Sequence, residues 1–280
     1  MKSFFYSLVA ALCVVGCAQK PYVVVQIADA QLGFTAAAVS DRNGTEYVND
    51  LSYEVECLTE AVAKINELKP DAVVFSGDQV HRSWNEEQWE TFAAIISELD
   101  EQIKVFHVPG NHDVAFVGNR VDSTPFTDRY GVDRFCHEEN GVRLVGINTN
   151  LIRFSDSLET AQVEWMKEVL KKNSPKDVTL VFGHHPFFIG DIDEDEDLYP
   201  SAKEKRHFYF DLFSEYDVDA MYAGHHHSSH AAEYKGVQMK TQTAVGVQLG
   251  PDRASFRVIR IYRGAVSDEV VELDCKNICL

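Results

Sequence analysis

Four short segments of this chain place polar, ligand-forming side chains beside glycine: Gly77-Asp78, Gly110-Asn111-His112-Asp113, Gly183-His184-His185-Pro186 and Gly224-His225-His226-His227. Each follows an apolar run and so falls where a buried strand ends. Carboxylate, amide oxygen and neutral imidazole are oxygen and nitrogen donors suited to transition metals. A glycine beside each lets the backbone turn sharply and approach an ion. Four such segments in order are hard to explain except as the parts of a two-metal hydrolytic site.

The elements that must position these segments read as short β-rich runs alternating with helical patterns, the mark of an α/β protein with helices layered on sheet. Val23 to Ile27, Ala72 to Phe75, Ile103 to Phe106, Leu144 to Ile147, Val178 to Phe182 and Val218 to Tyr222 are apolar enough for strands buried on both faces. Leu51, Val55, Leu58, Val62 and Ile65 share one helical face ahead of Pro70. Further helices are expected from Glu86 to Leu99 and along Leu158, Ala161, Trp165, Val169 and Leu170. The capping-box pattern Ser201-Ala202-Lys203-Glu204 opens another. From Ala231 to Glu272, β-branched residues and turn signals predict a second, more antiparallel sheet. The acidic run from Asp191 to Asp197 reads either as a solvated loop or as a rim that screens out highly anionic substrates.

A length of 280 residues with 45% hydrophobic and 25% charged side chains suits one large globular domain. The net charge of -18 argues against a nucleic-acid scaffold, because polyanion affinity comes mainly from Lys and Arg neutralising phosphates. Lys2 followed by an apolar run from Phe4 to Gly16 has the shape of a secretion signal, too short for the roughly 20 apolar residues of a membrane span. Val14-Val15-Gly16-Cys17 is similar to a bacterial lipobox, which predicts a leader over 1–16, a lipid anchor on Cys17 and a body over 17–280 at the cell envelope. Cys57, Cys136, Cys275 and Cys279 then lie in a compartment that permits disulfides, with their pairing open.

From Asp29 to His227 the combined motifs resemble the calcineurin-like metallophosphoesterases. That family carries Asp-x-His, Gly-Asp, Gly-Asn-His-Asp/Glu, a histidine before proline, and Gly-His-x-His; here the first is Asp29-Ala30-Gln31. The resemblance implies a four-layer α/β/β/α sandwich with two mixed sheets flanked by helices. It also implies two divalent or mixed-valence transition metal ions, Mn, Fe or Zn, in a monomeric catalytic domain. Asp78 would bridge the ions, Asn111, His184 and His225 would complete one sphere, and Asp29, Gln31 and His227 would serve the other. Such a pair, about 3.5 to 4 Å apart, lowers the pKa of a shared water, so a bridging hydroxide would attack the phosphate ester directly. His112 would bind a phosphoryl oxygen and protonate the leaving alcohol, with Asp113 either orienting it or bracing the turn. Asp-x-Gln followed by Leu32-Gly33-Phe34, with the acidic loop, looks like the branch that includes a calcineurin-like phosphoesterase domain protein described as a serine/threonine phosphatase.

Gln31 departs from the family pattern, since an amide oxygen ligates more weakly than imidazole. His81 stands four residues after Gly77, where the related purple acid phosphatases carry a tyrosine ligand, and is a candidate replacement. Gln31 also favours an alternative, an exported binding protein that keeps the fold without turnover; the full set of polar ligands argues against it, because such groups are costly to bury without use. His185 adjoins a ligand and can line the pocket, while His226 alternates away from its neighbours. Arg82, Trp84 and Arg120 follow the metal-bearing loops closely enough to reach a substrate, although surface arginines and packed tryptophans are common. No P-loop, dinucleotide fingerprint or Gly-x-Ser-x-Gly elbow is present.

Overall fold

The computed structural model describes residues 20–154, 157–171, 174, 177–195 and 203–276. The leader, Cys17, Glu196, Asp197, Ser201, Ala202 and Cys279 lie outside the described residues. The chain runs β1 (Tyr22–Ile27), α1 (Phe34–Asn43), α2 (Ser52–Leu68), β2 (Ala72–Ser76), α3 (Glu86–Ile96) and β3 (Lys104–Val108). A short hairpin follows, β4 (Ala115–Val117) with β5 (Arg120–Asp122), and then α4 (Thr124–Tyr130). Next come β6 (Phe135–Glu139), β7 (Val142–Gly146), α5 (Asn150–Phe154), α6 (Ser157–Val169), β8 (Val178–Phe182), α7 (Lys203–Glu215) and β9 (Ala220–Ala223). The last strands are β10 (His230–Tyr234), β11 (Val237–Thr241), β12 (Ser255–Tyr262) and β13 (Ala265–Glu272).

Fully buried strands have no water to satisfy their amides and must pair with one another. They do so in two mixed sheets, of order β13-β12-β1-β2-β3 and β10-β11-β9-β8-β7-β6. In the first, β1, β2 and β3 are parallel; in the second, β7, β8, β9 and β11 are. The layers follow from which face each side chain covers. Val24, Val74, Ile259, Leu144, Leu180 and Tyr222 form an apolar seam between the two sheets. On the outer face of the first sheet, Val25, Val73 and Phe75 meet Leu58, Val62, Ile65 and Phe92 of α2 and α3. On the outer face of the second, Val145, Val181 and Met221 meet Met166, Tyr209, Phe210 and Phe213 of α6 and α7. This is the helix, sheet, sheet, helix stacking that the sequence resemblance implies.

The separate, more antiparallel sheet expected from Ala231 to Glu272 does not form. The carboxy-terminal strands do not make a sheet of their own: β10 and β11 extend the second sheet, while the β12-β13 hairpin joins β1 in the first. The partition follows the apolar pattern, since β12 buries Phe256 and Val258 on one face and Ile259 and Ile261 on the other and therefore needs cover on both. Polar groups also tie the sheets together. Gln26 on β1 donates from Nε2 to Ala223 O on β9 at 3.0 Å, and Asp268 on β13 pairs with Lys240 of β11 and with Arg257.

The acidic run folds back on itself and on α7. Glu194 accepts from the amides of Ile189, Gly190 and Asp191 at 2.7 to 3.1 Å, and Asp193 pairs with His207 at 2.8 Å. Arg206, fully buried, donates to Glu194 O at 2.8 Å. These contacts give the described part of the run an ordered role in packing.

Among the cysteines the sequence left unpaired, Cys57 on α2 bonds Cys275 beyond β13, 218 positions apart in sequence, and Cys136 is free and exposed. Cross-linking so long a loop removes much of the unfolded chain's freedom, and a loop of this size is worth about 5 kcal/mol in the chain-entropy picture. Reductant is therefore expected to lower the denaturant midpoint of the wild type but not that of Cys57→Ala, measured by equilibrium unfolding. Equal midpoints for the wild type with and without reductant would contradict the pairing.

Candidate metal centre

Asp29 follows β1, Asp78 follows β2, Asn111 follows β3, His184 follows β8, and His225 and His227 follow β9. All six lie beyond the carboxyl ends of parallel strands, the face at which open α/β sheets gather ligands. Backbone bonds join the turns before any ligand chemistry begins: Asp29 N to Gly77 O at 3.2 Å, Gln31 N to Asp78 O at 2.8 Å and Gly224 N to His184 O at 2.9 Å. The turns are strained. Asp29, Gln31, Asp78, His225 and His227 hold φ between 42° and 70°, the left-handed region that non-glycine residues avoid at about 1 kcal/mol or more each.

The glycines have a purpose different from the one the sequence suggested. Only Gly77 (φ +96°) needs glycine for its turn; Gly110 and Gly224 do not have positive φ. Each instead leaves room for a ligand from another segment. A Cβ on Gly77 would lie 2.5 Å from His184 Nδ1, one on Gly110 2.0 Å from Asp78 Oδ1, and one on Gly224 2.4 Å from Asp29 Oδ2. The segments interlock, the glycine of one receiving the ligand of the next.

Inside this frame Asp29, Asp78 and His184 each offer a ligand atom within 4.8 Å of the others, and so do His184, His185 and His225. His184 Nε2 stands 3.2 Å from Asp78 Oδ2, 3.1 Å from Asn111 Oδ1 and 3.2 Å from His225 Nδ1. His227 Nε2 reaches Asp29 Oδ1 at 3.5 Å. Backbone carbonyls fix the imidazoles. Ser76 O takes His184 Nδ1 at 3.1 Å and Val247 O takes His227 Nδ1, so in each neutral ring the proton sits on Nδ1 and the Nε2 lone pair faces the centre.

The electrostatics ask for a cation. Asp29 and Asp78 are almost fully buried, and no Lys or Arg pairs with either among the described residues. Burial pushes the Asp29 carboxyl up. At Asp78 burial acts the same way but is outweighed by His184 and His112, which hold it well below the usual carboxylate range. His184 is the converse: burial opposes its charge, yet Asp78 and Asp29 drive it up to about 9, so a proton serves there as the counter-charge. Gln31 Oε1 is buried without a hydrogen-bond partner. Close carboxylates, inward lone pairs and an orphaned amide oxygen together suit divalent metal.

His112 lies at the edge of this cluster, its amide donating to Asp78 Oδ1 at 2.8 Å. Its Nδ1 donates to His81 O at 2.8 Å, which leaves Nε2 for chemistry. That carbonyl, and not Asp113, orients the ring. Asp113 is fully buried and takes the amides of Gln79, Val80 and Gly110 at 2.8 to 3.2 Å, clamping the Asp78 turn to the Asn111 turn. His81 stacks on His112 with centroids 4.8 Å apart and joins neither tight cluster; its Nδ1 is buried without a hydrogen-bond partner. His226 packs edge-on to His230. Two participants were not legible in sequence. Val247 acts through its carbonyl, and Thr149 Oγ1 accepts the amides of His184 and His185 at 3.3 and 3.0 Å, so its own proton goes to His185 Nδ1 at 3.0 Å.

The interlock is directly testable. Gly110→Ala should retain the far-ultraviolet spectrum of a folded chain while its manganese affinity, measured by titration calorimetry, falls by roughly tenfold or more. Unchanged affinity would show that the Gly110 pocket does not position Asp78.

Comparison with known proteins places this geometry. Residues 22–229 match the family model described as calcineurin-like phosphoesterase. The serine/threonine-protein phosphatase CPPED1 of Bos taurus is 29% identical over 268 residues, covering 91% of this chain and 84% of that protein. Among solved structures, a purple acid phosphatase from yellow lupin aligns with a TM-score of 0.70 at 15% identity, over 92% of this chain and 52% of that one. A dimetal phosphatase from Danio rerio aligns with a TM-score of 0.63 at 17% identity, over 91% of this chain and 98% of that one. The chain belongs to the calcineurin-like phosphoesterase family and is a metal-dependent phosphoric ester hydrolase, and the buried carboxylate and imidazole cluster at the strand ends could hold metal.

Proposed function

We propose that this chain is an exported phosphoesterase of the bacterial envelope, anchored through lipidated Cys17 and working with two divalent or mixed-valence transition metal ions. The observation that carries the catalytic reading is the convergence of Asp29, Asp78 and His184 within 4.8 Å, buried and with no lysine or arginine beside them among the described residues. Asp78, Asn111, His184 and His225 would hold one ion, and Asp29, Asp78, Gln31 and His227 the other. Bound there, the metal pair supplies an activated water and neutralises charge on the phosphoryl group. Export is supported by the leader-like start of the sequence and by the Cys57–Cys275 pair, which suits an oxidising compartment.

The chain's own residues handle the leaving group. In its protonated form His112 offers Nε2–H, because His81 O already takes Nδ1–H. As water oxygen bonds to phosphorus and the P–O ester bond breaks, that proton passes to the departing alkoxide, giving inorganic phosphate and an alcohol. The amide of His112 on Asp78 fixes the distance between proton donor and metal cluster. Phosphorylated serine and threonine are the natural first substrates to test, since the CPPED1 relatives are serine/threonine-protein phosphatases.

With manganese, iron or zinc supplied in turn, the wild type should hydrolyse aryl phosphates and phosphopeptides, and Asp78→Ala should lose about a thousandfold or more. An inactive wild type on monoesters, diesters and pyrophosphates would favour the binding-protein alternative. His112→Ala should lose about 10²- to 10⁴-fold, more for alkyl phosphates than for aryl phosphates, whose leaving groups need less protonation. A loss independent of leaving-group pKa would remove His112 from the proton-donor role.

A further inference from the structure

Arg82 sits one residue beyond His81, whose carbonyl orients His112. Its guanidinium lies 3.7 Å from the centre of the Tyr47 ring and 5.3 Å from that of Trp84. The other half-buried or buried arginines with described side chains meet carboxylates or, for Arg206, carbonyls: Arg129 with Glu86, Arg134 with Asp133, Arg143 with Glu138, Arg257 with Asp268 and Arg260 with Glu269. Arg82 meets no carboxylate among the described residues, in a chain of net charge -18. A guanidinium in so acidic a protein that is held by aromatic faces keeps its donor fork available.

Its seat is built rather than incidental. Tyr47 OH donates to Asn49 Oδ1 at 2.6 Å and accepts from Gln88 Nε2 at 3.0 Å, so the stacking ring is fixed from behind. Gln88 also takes the Arg82 amide on Oε1 at 2.9 Å. The seat abuts the metal-bearing loop: a Cβ on Gly33, two residues after Gln31, would lie 2.2 Å from Gln88 Nε2 and 3.0 Å from Tyr47 OH. Trp84, 70% exposed, flanks the guanidinium on the solvent side. Arg82 is joined to the edge of the cluster through His81, whose ring stacks on that of His112 with centroids 4.8 Å apart.

We infer that Arg82, held on Tyr47 beside Trp84, binds a second anionic group carried by the alcohol portion of the substrate. This rests on the phosphoesterase reading and narrows it to phosphate esters whose alcohol bears a carboxylate or a second phosphate. Planar, bidentate recognition of either group is what an arginine fork provides and a lysine does not.

The test compares phenyl phosphate, 3-carboxyphenyl phosphate and 1,3-phenylene bisphosphate with manganese-loaded wild type, Arg82→Gln and Arg82→Lys. Comparing proteins on the same substrate pair cancels intrinsic leaving-group reactivity. For Arg82→Gln the kcat/KM ratio of at least one anion-bearing substrate to phenyl phosphate should fall roughly tenfold, with Arg82→Lys between. The carboxylate and phosphate arms show which anion the site takes. A ratio unchanged on both arms would overturn the inference. Calorimetric binding of 3-phosphonobenzoate and phenylphosphonate, which cannot be hydrolysed, separates this from failure of the catalytic reading. Selective weakening of the former in Arg82→Gln supports the site even without turnover, and equal weakening or none rejects it.

Discussion

Two carboxylates, Asp29 and Asp78, are buried side by side with no lysine or arginine among the described residues to neutralise them. Everything around them manages that conflict. Without an ion, the conflict raises Asp29 and loads His184 with a proton. A divalent cation resolves it more completely, since it can be shared by both acids while leaving the imidazoles neutral. Affinity for metal is in this sense stored in the apoprotein as unfavourable electrostatics, and the rest of the chain must be rigid enough to prevent the acids from simply moving apart.

Rigidity comes from the level below. Six candidate ligand positions hang from parallel strands of two different sheets, so a shear of one sheet over the other would break the cluster. The apolar seam between the sheets resists that motion, and Gln26, bonded to Ser76 Oγ and Ala223 O beneath the site, locks the register at the point that matters. Five strained residues of the cluster and the glycine pockets are stability conceded at the centre. The seam, the two helix-covered faces and the Cys57–Cys275 link hold the remainder well enough to sustain it.

The parts legible in the sequence are those carried by side-chain type and period. Runs such as Val178 to Phe182 cannot be exposed on either face, and His184 must then emerge at their end. What sequence could not show depends on contacts between distant segments. That Gly110 is small for the sake of Asp78, 32 positions earlier, has no local signal. Asp113 beside His112 suggests a dyad, but its oxygens are claimed by three amides, which only the folded turn supplies. Cys57 and Cys275 are joined through the placement of β12 and β13 in the first sheet, a placement the β-rich composition of that region left open. Carbonyls such as Ser76 O and Val247 O carry no residue-type signature at all.

The glutamine at position 31 acquires a physical sense in this setting. On the His184 side half the donors are imidazole nitrogens, from His184 and His225, and half are oxygens, from Asn111 and Asp78. On the other side Asp29, Asp78 and Gln31 supply oxygen and His227 the nitrogen. Under the proposed two-metal reading the halves are therefore unequal, the one richer in nitrogen suiting a borderline ion and the one richer in oxygen a harder ion. A histidine at position 31 would erase much of that difference and would also need a partner for its second nitrogen. The amide needs none on its oxygen, and the buried, unpartnered Gln31 Oε1 is what such a ligand looks like before its ion arrives.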